Sequence, residues 1–292
     1  MLSKTLNLQP VERIGTADRA CFEGDYLAAR RPVVLRDLAA DWPALRNWTP
    51  ASLSERFGGI RVPVYDASFA SPGGSYMSSI DRMPFSAFLE AIFEGERDLR
   101  MFLYNIASEL PELADDVRLP ALPLRFSRRF LFTFFGCRGA VTPMHYDIDM
   151  GHVFYTAVHG RREISLYPRS ESTCLYRHPF TVRSYIDLAA PDWEAFPALS
   201  LAQGYRVMLE PGETLFIPSG YWHEFRYADA GYGISLRTPS ERWPERLEGL
   251  ANLAITSPID RLCNRLAPRR WFDWKTRQAR RRVRALGLQE AH

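Results

Sequence analysis

The stretch GYRVMLEPGETLFIPSGYWHEF, residues 204–225, decides how the rest of this chain is read. Its apolar runs are too short for helices, rich in Val, Ile, Leu, Phe and Tyr, and broken by Pro and Gly, which is the pattern of successive β-strands. Pro211-Gly212, between RVMLE and ETLFI, reads as a hairpin turn. Working outward, FLFTFFG (130–136), HVFYTAVHG (152–160), EISLYP (163–168) and YGISLRTP (232–239) have the same texture. Several short strands with regular turn signals predict a mainly β fold, an all-β sandwich or barrel whose core lies at about 125–240.

The flanks read as helical. Residues 17–30 place Phe22, Tyr26 and Leu27 at helical spacing, and RPVVLRDL (31–38) follows as a strand led in by Pro32. TPASLSERFG (49–58) offers Thr49 as N-cap, Pro50 at the first helical position and Gly58 just past the end; MPFSAFLEAIFEG (83–95) is a similar helix closed by Gly95. This is an N-terminal α/β elaboration. After Pro239 helix returns, with Ser257 as a cap, Pro258 opening, and Ile259, Leu262, Cys263 and Leu266 on one apolar stripe. The expected organisation is a catalytic domain over 1–240 and a helical, basic extension over 241–292.

With 292 residues, 46% of them apolar, the chain has enough to build one main core with additions, and disorder is not expected. Its 37 basic and 34 acidic residues nearly balance, which by itself argues for neither nucleic acid nor membrane. The distribution is uneven: from Arg261 onward ten basic residues face only Asp273 and Glu290. Cys21, Cys137, Cys174 and Cys263 are scattered without a C-x-x-C pair, which suits a reduced, cytoplasmic protein. No run approaches bilayer length and the N-terminus lacks an apolar leader, so neither membrane insertion nor export is expected.

The chemistry concentrates in VTPMHYDIDMGH, residues 141–152. In extended chain, residues i and i+2 point the same way, so His145 and Asp147 present an imidazole and a carboxylate to one point. His223, on another strand, supplies a third ligand. Two histidines and a carboxylate on one side of a metal leave the other positions open, the facial arrangement of non-haem Fe(II) oxygenases. Asp149 is expected to be an exposed loop carboxylate, His152 a structural histidine, and His159, before a turn glycine, solvent-facing. Phe132, Phe134, Tyr155, Tyr221 and Phe225 would line an aromatic mouth or fill the core.

VTPMHYD (141–147), HGRREISLYP (159–168), the opening stretch and GISLR (233–237) together resemble the cupin-like Jumonji C family of Fe(II)/2-oxoglutarate dioxygenases, and within it the asparaginyl hydroxylases. The lead-in over 26–58 resembles that family as well, so the similarity spans about 20–240. The resemblance implies a double-stranded β-helix (cupin) barrel that binds Fe(II) and 2-oxoglutarate and uses O2 to hydroxylate or demethylate a substrate. It implies that His145, Asp147 and His223 hold the iron and that Thr142 bonds the distal carboxylate of 2-oxoglutarate. Arg162 falls where relatives carry a lysine for that carboxylate; Arg237 is the competing anchor. Phe102 replaces a tyrosine of the cosubstrate site, with Tyr104 two residues on as substitute, while Val153 replaces an asparagine and Tyr155 a phenylalanine.

The resemblance favours a protein or peptide substrate, with RNA nucleosides and small molecules behind. The basic tail raises RNA as a partner; C-terminal helices that pack on the barrel or form a homodimer are the alternative use of that segment. A non-oxidative metal cupin is the competing class.

Overall fold

The computed structural model describes residues 4–15, 19–70, 79–95 and 98–286. The first two residues of the expected 17–30 helix and the end of the basic tail lie outside these. Six strands make the lead-in: β1 (Asn7–Pro10), β2 (Arg13–Ile14), β3 (Val33–Leu35), β4 (Arg61–Val64), β5 (Asp81–Pro84) and β6 (Arg100–Asn105). Eight build the barrel: β7 (Leu131–Gly136), β8 (Val141–His145), β9 (His152–His159), β10 (Arg162–Tyr167), β11 (Gln203–Leu209), β12 (Thr214–Ile217), β13 (Trp222–Tyr227) and β14 (Gly231–Thr238). The longer helices are α1 (Pro50–Phe57), α2 (Phe85–Phe93), α3 (Trp243–Ala251), α4 (Ser257–Leu266) and α5 (Pro268–Arg284).

Two sheets face each other, one in the order β2-β3-β12-β9-β14-β7-β6 and one in the order β1-β11-β10-β13-β8. In chain order the barrel strands alternate between the sheets, except that β10 and β11 pair with each other. This is a double-stranded β-helix, as expected. Pro211-Gly212 is not a hairpin turn. It arches from β11 in the smaller sheet to β12 in the larger, because each strand finds its partners elsewhere: β11 with β1 and β10, β12 with β3 and β9.

The core explains the strand composition. β9 is buried almost end to end, since one face of the larger sheet meets the barrel interior and the other meets the lead-in helices. Phe154 on β9 and Phe216 on β12 pack ring to ring at 5.0 Å, and Phe22 of the lead-in closes on Phe216 at 5.1 Å. α1 begins where expected, with Thr49 and Ser52 forming a reciprocal capping box. His159 is not solvent-facing: it stacks on Tyr232 at 5.3 Å and meets the edge of Phe93. His152 is fully buried, accepting from the Ser219 amide at Nδ1 and meeting Glu241 through Nε2.

The outer face of the smaller sheet is covered by the 168–202 connection and by α5, whose Ala279 and Val283 pack with Met144, Tyr167 and Trp222. α3 runs through a π-helical turn, Asn252–Thr256, into α4, so Ser257 lies inside a continuous rod and caps nothing. The apolar stripe of this rod does not pack on the barrel. Trp243, Leu247, Leu250, Ile255, Leu262 and Leu266 are each more than half exposed. Among the described residues no helix is long and apolar enough to cross a membrane.

His178 pins the 168–202 connection to α5. It is buried between Tyr185 and Phe272, within 3.5 Å of the Thr276 hydroxyl. Burial, with Lys275 and Arg282 nearby, lowers its pKa from 6.5 to about 4. The unfolded chain therefore binds the proton more tightly, and the stability this neutral imidazole contributes is full above pH 6.5 and is lost as pH falls toward 4. Urea unfolding is expected to show wild type losing about 2–3 kcal/mol more than His178→Phe between pH 7 and pH 4; equal losses in both would refute this.

Candidate active site

His145 ends β8 and stands directly opposite His223 on β13. Their rings lie 4.3 Å apart between centroids, and one ligand atom from each, with one from Asp147, all fall within 4.8 Å of one another. The tautomers follow from the backbone. Pro143 O lies 2.8 Å from His145 Nδ1 and Tyr221 O 3.0 Å from His223 Nδ1, so each Nδ1 donates its proton to a carbonyl and each Nε2 carries the lone pair. Burial lowers the pKa of both, His145 to about 3 with the neighbouring His223 contributing. Neutral, pre-oriented imidazoles are what a metal ion requires.

Pairing on β8 is irregular in a way that builds the site. Between the His145–His223 pair and the Thr142–Phe225 pair, β8 spends three residues and β13 two. This bulge at Pro143-Met144 turns both Thr142 and His145 toward the cavity, while Met144 is buried on the outer side. Simple alternation would have sent Thr142 and His145 to opposite faces.

Asp147 follows β8 and is gripped by Arg237 of β14, whose Nη2 donates to Oδ1 at 2.7 Å. Burial alone would raise the carboxyl pKa; Arg237 and the two histidines outweigh it and bring it to about 2. The other Arg237 amino group donates to both oxygens of Asp149, at 3.2 and 3.3 Å. Asp149 is exposed in its turn, as expected, and Arg237 bridges it to Asp147. The C-terminal rod supports this loop: Asn252 donates to Ile148 O, and a Cβ on Gly249 would stand 2.3 Å from Asp149 O, so only glycine permits the approach.

The triad opens into a cavity of about 630 Å³, walled by Phe134, Tyr155, Phe225 and Tyr227 from the barrel. Behind the Tyr227 wall Arg162 is fully buried, its guanidinium 3.8 Å from the Tyr227 ring centroid. One amino group donates to Arg161 O and Asp229 O, but Nε and Nη2 have no hydrogen-bond partner. Those two form one edge of the guanidinium, the fork that binds a carboxylate through two parallel hydrogen bonds. The buried hydroxyls of Tyr155 and Ser235, opposite each other across β9 and β14, are also unpartnered. Gly233 makes room for that phenol: a Cβ there would stand 2.4 Å from it. Tyr155 and Ser235 line the same cavity as the triad and Arg162 lies behind its Tyr227 wall, so these spare polar groups are ones a bidentate ligand with a distal carboxylate would use.

Of the sequence-derived candidates, His145, Asp147, His223, Thr142, Tyr155 and Arg237 line this cavity; Arg162 does not, and sits behind Tyr227, which does. Tyr104 does not. β6 carries an extra residue against β7 between Met101 and Tyr104, with Leu103 in the left-handed region at φ 51°, so Phe102 faces the cavity and Tyr104 turns into the main core. Tyr221 belongs to the core cluster and Phe132 packs on Phe130. Sequence reading missed Ser235, although its i, i+2 relation to Arg237 on one strand could have found it. It also missed the polar face of α4, which lines the mouth.

This geometry predicts a graded response in anaerobic Mn(II) titration. His223→Ala should abolish binding, while Arg237→Met, which frees Asp147 to turn, should weaken it about 10–100-fold. Unchanged affinity in Arg237→Met would exclude an orienting role.

A family model described as a cupin-like domain matches residues 19–237. The chain is similar to lysine-specific demethylase 8 of Xenopus tropicalis, 27% identical over 226 residues, covering 73% of this chain and 49% of that protein. It is also similar to tRNA wybutosine-synthesizing protein 5 of Gallus gallus, 26% identical over 254 residues and covering 78% and 77%, and to HSPB1-associated protein 1 homolog of Danio rerio, 35% identical over 227 residues and covering 68% and 50%. The chain spans about half the length of the demethylase relatives it matches. The matched segment runs from the lead-in through β14 and takes in the barrel with its histidines, carboxylate and buried arginines; the chain belongs to the cupin-like domain family, in its Jumonji C group.

Proposed function

We propose that the chain is an Fe(II)- and 2-oxoglutarate-dependent oxygenase that converts a substrate C–H to C–OH while one 2-oxoglutarate and one O2 become succinate and CO2. The observation that carries this reading is the pairing of the His145–Asp147–His223 cluster with an unspent guanidinium fork, Arg162 Nε and Nη2, buried behind Tyr227 in the wall of the cavity that the cluster lines. Jumonji C enzymes use Fe(II), 2-oxoglutarate and O2. Iron held by the three ligands supplies the activation of O2.

The chain's own residues do the rest. Arg237 keeps Asp147 ionised and fixes which oxygen is left to ligate. Arg162, Tyr155, Ser235 and Thr142 hold the distal carboxylate. Arg162 is favoured over Arg237 as its anchor, because both Arg237 amino groups are already engaged by Asp147 and Asp149. Phe134, Phe225 and Tyr227 form dry walls that exclude water from the reacting centre.

Calorimetry with Mn(II) and 2-oxoglutarate under nitrogen tests the assignment. Arg162→Ala is expected to lose about 100-fold in 2-oxoglutarate affinity with metal binding retained. A loss confined to Arg237 variants would overturn the choice of anchor. Failure of wild type to form succinate with Fe(II), ascorbate and 2-oxoglutarate, together with a tightly held zinc, would favour a non-oxidative cupin instead.

The names of the relatives point to protein lysines and to tRNA, so the substrate class is a group on a protein or an RNA. The four free cysteines fit a reducing, cytoplasmic setting. The apolar stripe on α3 and α4 fits a homodimer: Ile255, Ile259, Leu262 and Leu266 repeat at 4-3-4 spacing, which lets two copies of one helix interlock. Light scattering should find a dimer that Leu262→Asp with Leu266→Asp converts to monomer; a wild type monomeric at every concentration would remove this partner.

A further inference from the structure

α4 is inside out. Ser257, Asp260, Arg261, Asn264 and Arg265 line the cavity at i, i+3, i+4, i+7 and i+8, one face of the helix, while Leu262 and Leu266 look to solvent. No apolar burial holds the helix there. Asp260 does so, accepting from Lys275 Nζ and Trp271 Nε1 of α5, each at 2.7 Å, and from Asn264 at 3.0 Å.

The charge at the mouth follows from these pairings. Asp260 is cancelled by buried Lys275, and Asp147 by Arg237. Arg261 and Arg265 are exposed and, among the described residues, have no acidic partner. The positive surface continues along α5, where exposed Arg270, Arg277, Arg281 and Arg284 share a face interrupted only by Asp273. At 1.5 Å per residue that ridge is about 21 Å long.

Between ridge and mouth lies an aromatic step. Phe180, which lines the cavity, tilts onto Trp271 at 5.5 Å and Trp274 at 6.2 Å, and the two indoles stack at 4.8 Å with their planes 10° apart. A turn of 100° per residue puts Trp274 between Trp271 and the face of Arg270, Arg277 and Arg281. Cations in a row beside ring faces are the elements of a single-strand nucleic-acid platform, in which arginines track phosphates and rings take unstacked bases. An acidic peptide would use the arginines and leave the rings without a role.

We propose that this surface binds single-stranded nucleic acid, with phosphates along α5 and at Arg261 and Arg265, and one unstacked nucleoside on the aromatic step at the cavity mouth. Only the further statement that this nucleoside is the one oxidised rests on the oxygenase reading.

Fluorescence anisotropy of the full chain tests the surface without added iron or 2-oxoglutarate. The probes are a fluorescein-labelled single-stranded RNA, a DNA of the same sequence and a labelled polyglutamate. Wild type should bind RNA or DNA with affinity that falls steeply as KCl rises, and comparing the two strands identifies the source. Arg261→Glu with Arg265→Glu should weaken binding at least about tenfold and lower the salt slope by about 1.4. Trp274→Ala should weaken it about tenfold without changing the slope. Arg56→Glu with Arg118→Glu, the same charge change on the lead-in, should leave affinity as it was; thermal melts establish that each variant is folded. The proposal fails if wild type does not bind, if the lead-in pair weakens binding as much as the mouth pair, or if polyglutamate binds as tightly as the strands. None of these results bears on 2-oxoglutarate calorimetry, so the two readings stand or fall separately.

Discussion

One extra residue on β8 sets the geometry of the site. In a regular antiparallel pair the partner of every second residue faces the same side, so a metal ligand at His145 would exclude position 142 from the same cavity. The bulge at Pro143-Met144 lifts that exclusion and lets one short strand present Thr142 and His145 together, three residues apart. Proline suits the place, because a bulged residue has no ladder partner to lose. Its carbonyl is then put to use, taking the Nδ1 proton of His145 and fixing the tautomer. β13 answers with an unbulged His223 and the same device, the carbonyl two residues earlier.

Around that geometry the charges are compensated in pairs, with one exception. Asp147 and Asp149 share Arg237, and the histidines are neutral because they are buried. Arg162 is a fully buried cation with two adjacent donors, Nε and Nη2, to spare. Leaving two such donors unmade costs about 1–3 kcal/mol each, more for a charged group, and the Tyr227 face offsets about 2 kcal/mol of it. A carboxylate would satisfy both donors at once, which is the shape of anion this fork matches.

The barrel was legible in the sequence because strand composition follows from two-sided burial, and the triad because H-x-D alternation survives where the chain stays extended. The failures share a cause, which is that local signals do not say what lies across space. Pro211-Gly212 is a turn, but whether it joins neighbours or crosses between sheets depends on pairings with β3 and β9. Tyr104 was placed by counting two from Phe102, and a bulge breaks the count. The bridge from Arg237 to the exposed Asp149 spans 88 residues, beyond the reach of any local signal. The stripe on α4 was read correctly as a stripe, but amphipathicity does not say which face turns inward.

That reversed helix divides the labour of the site. Strands locked by two-sided packing position the His145–Asp147–His223 cluster and Arg162, whereas the wall formed by α4 is held by a different kind of contact. A buried ion pair between Lys275 and Asp260 contributes little net stability once desolvation is counted, yet removing one partner leaves an uncompensated charge and costs about 3–5 kcal/mol. Such a contact is closer to a latch than to glue, since it specifies one placement of α4 and penalises intermediates. Asp260 and Asn264 of that face make the latch, and Arg261 and Arg265, exposed and without an acidic partner among the described residues, take no part in it. On the proposed reading, the surface that meets substrate is thereby separated from the packing that stabilises the barrel.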